Sequence, residues 1–160
     1  MYRRILVPLD GSATSSRGLR EAAGVAKAHG ARLRVLNVLD ERLFVTMVEG
    51  YAMSNIEELT ASLRAEGQKA LDAASKAAEK QGLKAEAYMV ESRGRPVSDV
   101  ILDEVRKWRA DLIVMGTHGR RGVNRLLLGS DAERVLSGAP VPVLLVKAEE
   151  GKRQRARKRR

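Results

Sequence analysis

Apolar residues recur along the chain in two alternating patterns. Short runs of consecutive Val, Leu, Ile and Met, such as "ILV" at 5–7 and "LIVM" at 112–115, are typical of strands buried on both faces of a parallel sheet. Longer segments between them repeat apolar residues every three or four positions, as amphipathic helices do. The predicted order is β-α-β-α-β-α-β-α-β. The fold class is therefore α/β, a five-stranded parallel-type, doubly wound sheet with helices on both faces.

Turn and capping residues indicate where these elements begin and end. Residues 39–52 have no clean period and are interpreted as a loop or an irregular flap, which we hypothesise to be a moving part. Pro140 and Pro142 favour an edge position for the last strand. The predicted strands cover 3–9, 31–40, 84–92, 110–116 and 140–148, and the predicted helices cover 11–30, 54–82, 97–108 and 130–139.

Several residues match known helix signals. The first helix has three candidate N-caps, and the second has an S-x-x-E capping box and a terminal glycine. Proline suits the first turn of the third helix, and a second S-x-x-E box opens the fourth. These signals are, in order, Asp10, Ser12 and Ser15, then Gly30, Ser54 with Glu57, Gly82, Pro96, and Ser130 with Glu133.

Composition excludes several functional classes. The length of 160 residues suits one domain, and the aromatic content of 3% argues against a stacking platform for single-stranded nucleic acid. Without cysteine, the chain has no disulfide, thiolate metal site or cysteine nucleophile. His29 and His118 are too far apart in sequence to suggest a zinc site. No signal-peptide pattern or apolar run of membrane-spanning length is present, so we expect a cytoplasmic protein.

The net charge of +10 is concentrated at the end of the chain. Residues 149–160 hold seven Lys or Arg and two Glu, which leaves 23 basic against 18 acidic residues in 1–148. We therefore predict one domain over 1–148 and a basic, disordered tail over 149–160. Such a tail suits loose, salt-sensitive binding of nucleic acid or of an acidic partner.

Candidate chemistry lies where two predicted strands end. The first strand ends in Pro8 and Asp10, and the fourth ends in Met115 and Gly116. Ligands of doubly wound sheets bind beyond the carboxyl ends of the strands, where the strand order reverses. If the first and fourth strands are neighbours, these residues flank one crevice.

The segment "GTHGRRGVNRLLLGS", residues 116–130, indicates an anion site. Gly116 would let the backbone leave the strand without a side chain in the crevice, and Gly119 would allow a tight or left-handed turn. Gly129 and Ser130 open a helix, whose unpaired N–H groups attract phosphate. The arginines at 120, 121 and 125 add positive charge. The spacing differs from that of a P-loop.

The spacing G-x-x-G-x9-G-S resembles the ATP-binding signature of the universal stress protein family. Similar stretches are "ILVPLDGS", "LNVLD", "ADLIVMGTHGR" and "APVPVLLVK", so the resemblance covers residues 2–147. It implies a Rossmann-like, adenine nucleotide alpha hydrolase-like fold, an ATP site with Mg²⁺, a stress-response role and a homodimer through Val141–Lys147. The site residues that it implies, with Arg120 added for its charge, are Pro8, Asp10, Val38, Met115, Gly116, Gly119, Arg120, Gly129 and Ser130.

Two positions depart from the family pattern. Asn37 stands where histidine is frequent, and Asp131-Ala132 follows the last motif glycine and serine, where a small or apolar pair is common. An acid beside a phosphate is unfavourable unless Mg²⁺ intervenes.

Simpler interpretations remain open at this stage. Asp10 and Ser130 are also explained as helix caps, and His118 has the chemistry of a general base without a recognisable nucleophile. Two other functions compete with nucleotide-dependent regulation: slow ATP hydrolysis, and a nucleotide-free homodimer that acts through protein or nucleic-acid contacts.

Overall fold

Five parallel strands and four helices make up the fold. The computed structural model describes residues 1–41, 56–119 and 128–147. Four predicted features therefore lie wholly or largely outside the described residues. They are the flap, the capping box at Ser54, Arg120 and the tail. The elements are β1 (Arg4–Pro8), α1 (Ala13–His29), β2 (Arg32–Leu39), α2 (Ile56–Glu79), β3 (Ala85–Glu91), α3 (Val97–Trp108), β4 (Leu112–Gly116), α4 (Ser130–Gly138) and β5 (Val143–Val146).

The strand order is β3-β2-β1-β4-β5, and every neighbouring pair is parallel. The chain starts in the middle, builds the sheet outward through β2 and β3, and then crosses to β4 on the other side of β1. The order reverses between β1 and β4, which is the topological switch point of the sheet. The predicted fold class is confirmed, and so is the expectation that the first and fourth strands are neighbours.

Two hydrophobic layers cover the sheet. On one face, Leu19 and Ala22 of α1 and Leu71 of α2 pack against β1, β2 and β4. On the other, Ile101 of α3 and Val135 of α4 join the opposite side chains of the same strands. Burial on both faces accounts for the consecutive apolar runs in the sequence, because no strand position faces water on either side of a central parallel strand.

Helix boundaries agree with most of the sequence signals. Ser12 caps α1 by accepting a hydrogen bond from the Ser15 backbone N–H at 3.1 Å, and Gly30 closes it with φ of 64°. Helix α3 spans Val97–Trp108 as predicted. Pro96 was wrongly placed in its first turn: with ψ of 137° it stands just before the helix, in the N-cap position.

Strand β5 lies at an edge of the sheet, as its prolines predicted. The Pro142 carbonyl accepts a hydrogen bond from the Ile113 N–H of β4 at 3.0 Å. Proline has no backbone N–H to donate, but its carbonyl still takes part in the pairing. Across the described residues, no helix is long and apolar enough to cross a membrane.

An ionic cluster lies toward the amino ends of β2 and β3, at the opposite end of the strands from the switch-point crevice. It contains the charged residues Arg32, Arg34, Glu86 and Glu104, with the ring of Trp108 beside them. Arg34 contacts Glu104 at 2.5 Å and Glu86 at 2.8 Å, and its guanidinium lies 4.6 Å from the Trp108 ring centre. Burial raises the pKa of Glu86, but the hydrogen bonds and charges of Arg34 and Arg32 outweigh it, so the pKa is lowered overall. Nothing in the sequence pattern indicated that these arginines and glutamates would meet.

Candidate functional site

A cavity of about 390 Å³ opens at the carboxyl ends of β1, β2 and β4. It lies at the switch point, where doubly wound sheets bind their ligands, and its volume falls in the range of small-molecule sites. Eight of the nine predicted site residues line it, and the ninth, Arg120, lies outside the described residues. The eight are Pro8, Asp10, Val38, Met115, Gly116, Gly119, Gly129 and Ser130.

The end of β1 brings Asp10 to the cavity. Its Oδ1 accepts a hydrogen bond from the Ser12 backbone N–H at 3.0 Å. The interpretation of Asp10 as the cap of α1 is therefore wrong, because Ser12 occupies that position and Asp10 braces the turn that leads to it. Oδ2 points toward Gly119, where an added Cβ would lie 2.8 Å from it. The carboxylate is thus positioned between the first strand and the glycine segment.

The glycines of the segment serve packing as well as access to the crevice. A Cβ on Gly116 would lie 2.9 Å from Thr14 Cγ2 of α1, so the absence of a side chain here lets the helix pack against the end of β4. The expectation that this glycine also keeps the crevice free of a side chain stays a prediction. Gly119 does not have a positive φ, so the left-handed alternative is wrong at this position and the tight turn stays a prediction. A Cβ here would lie 2.8 Å from Asp10 Oδ2, so a larger residue would require the Asp10 side chain to shift.

The start of α4 places backbone N–H groups at the cavity. Gly129 is the N-cap, and its N–H donates to the Thr117 carbonyl at 2.9 Å, which ties the helix start to the end of β4. Ser130 is the first helical residue and makes no side-chain cap. The capping-box interpretation of Ser130 and Glu133 is wrong, because the cap position lies one residue earlier. The hydroxyl of the exposed Ser130 is left on the cavity wall.

The wall that α2 and α3 provide was not predicted, nor was the role of Asn37 behind it. Asn37 on β2 donates a hydrogen bond from Nδ2 to the Leu9 carbonyl at 2.8 Å and so fixes the backbone just before Asp10. Its Oδ1 is buried and has no hydrogen-bond partner among the described residues. A Cβ on Gly67 of α2 would overlap that oxygen, so the helix crosses β2 at close range. The lining residues that were missed include Leu63, Glu66, Gly67, Ala70, Val97 and Ile101.

A sequence signal for the α2 wall did exist. Positions 63, 66, 67 and 70 follow helical spacing and contain a buried glycine in the middle of a long helix. Gly in a helix interior is unfavourable without a packing reason. The same helix also contributes ordinary core residues, so periodicity alone does not separate the two roles.

His118 lines the cavity beside the glycine segment. Its Nδ1 lies 2.9 Å from the Thr117 hydroxyl, and its Nε2 is buried without a partner among the described residues. A general base is usually oriented by a carboxylate, and here a hydroxyl holds the ring. The arrangement leaves one buried polar nitrogen without a described partner in a residue that lines the cavity.

The described wall of the cavity is acidic. It contains four carboxylates, Asp10, Asp40, Glu66 and Asp131, and, over 1–41, 56–119 and 128–147, neither lysine nor arginine. Positive potential within these ranges comes from the backbone at the start of α4.

The fold and the position of the cavity define a doubly wound α/β protein with a ligand crevice at the switch point. The model of the universal stress protein family matches residues 1–147, and the chain belongs to that family. The resemblance inferred from the motifs is thereby confirmed.

Relatives and solved structures agree with this assignment. A universal stress protein of Methanocaldococcus jannaschii is 40% identical over 147 residues, which cover 92% of this chain and 83% of that protein. The structure of a universal stress protein from Lactobacillus plantarum matches with a TM-score of 0.75 and 25% identity, covering 91% of this chain and 97% of that one. The Archaeoglobus fulgidus universal stress protein in complex with dAMP matches with a TM-score of 0.63 and 27% identity, covering 91% and 98%.

Proposed function

We propose that the crevice binds ATP, with Mg²⁺, and that the protein is a regulatory stress-response protein. The observation that carries the proposal is the convergence of eight predicted site residues from four separate chain segments on one cavity. If these residues served only as helix caps and core residues, their four chain segments would not need to meet at the switch point. The dAMP complex of the Archaeoglobus fulgidus relative supports an adenine nucleotide as the ligand class.

The adenine is proposed to lie near Val38 and Asp10, with the phosphates against Gly116–Gly119 and the start of α4. Half-buried Val38 offers an apolar surface for a base, and the N–H groups at the start of α4 suit an anion. Mg²⁺ is commonly held by phosphate oxygens with one or two carboxylates. Asp131, in the first turn of α4 and on the cavity wall, is the residue proposed to serve the metal.

Regulation through conformation or assembly is favoured over catalysis. His118 lacks a carboxylate partner in the hydrogen bond that holds its ring, so activation of water would be weak. We expect turnover well below about 1 s⁻¹, the low end of ordinary enzymes. A faster steady-state release of phosphate would make the protein an ATPase instead.

A homodimer is proposed through Val141–Lys147. Strand β5 is an edge strand, and Leu144 on it is 39% exposed. Unpaired edge backbone next to an apolar side chain suits pairing with a second copy. Sedimentation of the parent protein and of Leu144→Lys tests this: the parent should sediment as a dimer and the variant as a monomer. A nucleotide-free dimer of this kind is the competing function, and a cytoplasmic location is proposed with either.

Calorimetry with a charge placed at the start of α4 tests the nucleotide site. Ser130→Asp leaves the helix sound, because acids suit the first turn, but it opposes a phosphate at the same N–H groups. Ala13→Asp is the matched control: it adds the same charge at the first position of α1, at an exposed residue outside the cavity lining.

We expect Ser130→Asp to weaken Mg-ATP binding at least about tenfold, while adenosine binding changes less than about twofold. Ala13→Asp should bind both ligands as the parent does. Failure of the parent to bind ATP or adenosine would refute the site and leave the nucleotide-free dimer as the function. Equal weakening of both ligands by Ser130→Asp would move the phosphates away from α4.

A further inference from the structure

Leu9, the residue before Asp10, is held by β2 at both of its backbone polar groups. Its N–H donates to the Leu36 carbonyl at 2.7 Å, and its carbonyl accepts a hydrogen bond from Nδ2 of Asn37 at 2.8 Å. The register of β1 with β2 ends at Pro8, so the second bond, which comes from a side chain, fixes the chain just past the strand. Only the Nδ2 end of the amide can donate to a carbonyl, so this contact also sets which way Oδ1 points.

The position of Asp10 depends on this contact. The Leu9 carbonyl and the Asp10 N–H belong to one planar peptide unit, so a rotation of one rotates the other. Beyond that unit, Asp10 Oδ1 accepts from the Ser12 N–H at 3.0 Å, and Oδ2 lies 2.8 Å from where a Cβ on Gly119 would be. The hydrogen bond of Asn37 therefore holds the peptide from which the Asp10 carboxylate reaches the glycine segment.

Helix α2 packs against the other end of the same amide. A Cβ on the buried Gly67 would overlap Asn37 Oδ1. This oxygen is buried and has no hydrogen-bond partner among the described residues, so packing against α2, and not a described hydrogen bond, locates it. Because the amide is rigid and planar, a movement of α2 that displaces Oδ1 also displaces Nδ2 and its bond to Leu9.

We propose that Asn37 is a positioning residue of the nucleotide site, which makes the affinity of the crevice depend on how closely α2 packs on β2. The inference deepens the proposed function and rests on it. The contacts form an unbroken series from Gly67 through Asn37 and Leu9 to Asp10. Coupling through such a series works in both directions, so a bound nucleotide should also hold α2 more firmly against the sheet.

Two substitutions remove the two halves of this arrangement. Asn37→Leu keeps a side chain of similar shape against α2 but has no donor for the Leu9 carbonyl. Gly67→Ala keeps the donor but displaces the amide. Arg34→Ala is the control for lost stability, because it breaks an ion pair with the buried Glu104 at the amino end of the same strand. Affinities for adenosine and Mg-ATP are measured by calorimetry, with circular dichroism to confirm the fold.

We expect Asn37→Leu to bind adenosine and Mg-ATP about tenfold more weakly than the parent, as the loss of one hydrogen bond to a carboxylate would give. The factors should be similar for the two ligands, because a displaced Asp10 affects the nucleoside, which both ligands contain. Arg34→Ala should bind both ligands as the parent does, although it is less stable than the parent.

A double-mutant cycle tests the part that α2 plays. Gly67 lines the cavity, so a new methyl group there could also obstruct the ligand directly. Gly67→Ala is expected to weaken adenosine binding about fivefold in the parent. In an Asn37→Ala background it should have no measurable effect, because the amide that it would displace is absent. Direct obstruction would instead weaken binding equally in both backgrounds.

Three results would overturn the inference while leaving the nucleotide site intact. Parent-like binding by Asn37→Leu would show that the site does not depend on the amide; should that variant fail to fold, Asn37→Ala serves the same comparison. Equal weakening by Gly67→Ala in both backgrounds would remove α2 from the coupling. Weakened binding by Arg34→Ala would assign the losses to stability in general. A parent protein that binds neither ligand would instead remove the proposed function, and this inference with it.

Discussion

Gly67→Ala is expected to destabilise the protein, against the ordinary effect of this substitution in a helix. Alanine in a helix interior is about 1 kcal/mol more favourable than glycine. At Gly67 the new Cβ would overlap Asn37 Oδ1 and would lie 3.1 Å from Met89 Cε. Glycine 67 is buried where α2 crosses β2, so either the helix or the asparagine must move.

The magnitude follows from what Asn37 would lose. Its Nδ2 hydrogen bond to the Leu9 carbonyl is 2.8 Å long and buried, and leaving such groups unpaired costs about 1–3 kcal/mol. Overpacking adds about 1–3 kcal/mol, and the gain in helix propensity removes about 1. We expect a net loss of about 2 kcal/mol of unfolding free energy, which lowers the Tm by about 6 °C in a domain of this size.

Thermal and urea unfolding of five proteins measure this effect: the parent, Gly67→Ala, Gly24→Ala, Asn37→Ala, and Asn37→Ala with Gly67→Ala. Gly24→Ala is the matched control, because Gly24 is exposed in α1 and a Cβ there meets nothing within 4 Å. It should raise stability by about 1 kcal/mol. An Asn37→Ala background removes the closest obstacle to a Cβ at Gly67 and leaves only the flexible end of Met89 at 3.1 Å, so Gly67→Ala should then be stabilising. A stabilising Gly67→Ala in the unaltered background would refute the close approach of α2 to Asn37.

Three further predictions test the charges. Arg34→Ala leaves the buried Glu104 carboxylate without its partner and should lower the unfolding free energy, measured with urea, by about 3–5 kcal/mol. Arg34→Met combined with Glu104→Leu should be close to neutral. Equal losses of stability in the two variants would argue against a buried ion pair. Glu86→Gln should be less stable than the parent at pH 7. Because the pKa of Glu86 is lowered in the folded protein, the difference in stability should shrink as the pH falls below about 4.3. A difference in stability that does not depend on pH would contradict the ion pair. Asp131→Asn should strengthen ATP binding several-fold in EDTA and reduce the gain from adding Mg²⁺ in calorimetry; strengthening in both conditions would remove Asp131 from the proposed metal site.

Sequence patterns predicted those features that depend on neighbours along the chain. The apolar runs identified all five strands, and the family motifs named residues such as Asp10 and Gly129 that line the cavity. Motif spacing did not reveal why each residue is there. A side chain at Gly116 would meet Thr14 and one at Gly119 would meet Asp10, each about 100 residues away in sequence, so the local sequence did not reveal these contacts.

Features that depend on close approach between distant elements were not predictable. The Asn37 amide donates to the carbonyl of Leu9, just after β1, and lies where a Cβ on Gly67 of α2 would be. The pair of Arg34 with Glu104 joins residues 70 positions apart, and an arginine in the middle of a strand gives no indication of which carboxylate it will meet. Strand order decides such contacts, and hydrophobic periodicity does not specify strand order.

The acidity of the crevice decides what the proposed site would prefer on its own. A base and a ribose need apolar surface and hydrogen-bond partners, which Val38, Asp10 and the neighbouring backbone can supply. A phosphate group meets Asp131 and the other carboxylates, and only the neutral N–H groups of α4 favour it among the described residues. We therefore expect the described wall to favour the nucleoside, and Mg²⁺ to set the preference for longer phosphate chains. With Mg²⁺ removed, adenosine should bind at least as tightly as ATP; a persistent preference for ATP would mean that the arginines of the glycine segment suffice to hold the phosphates.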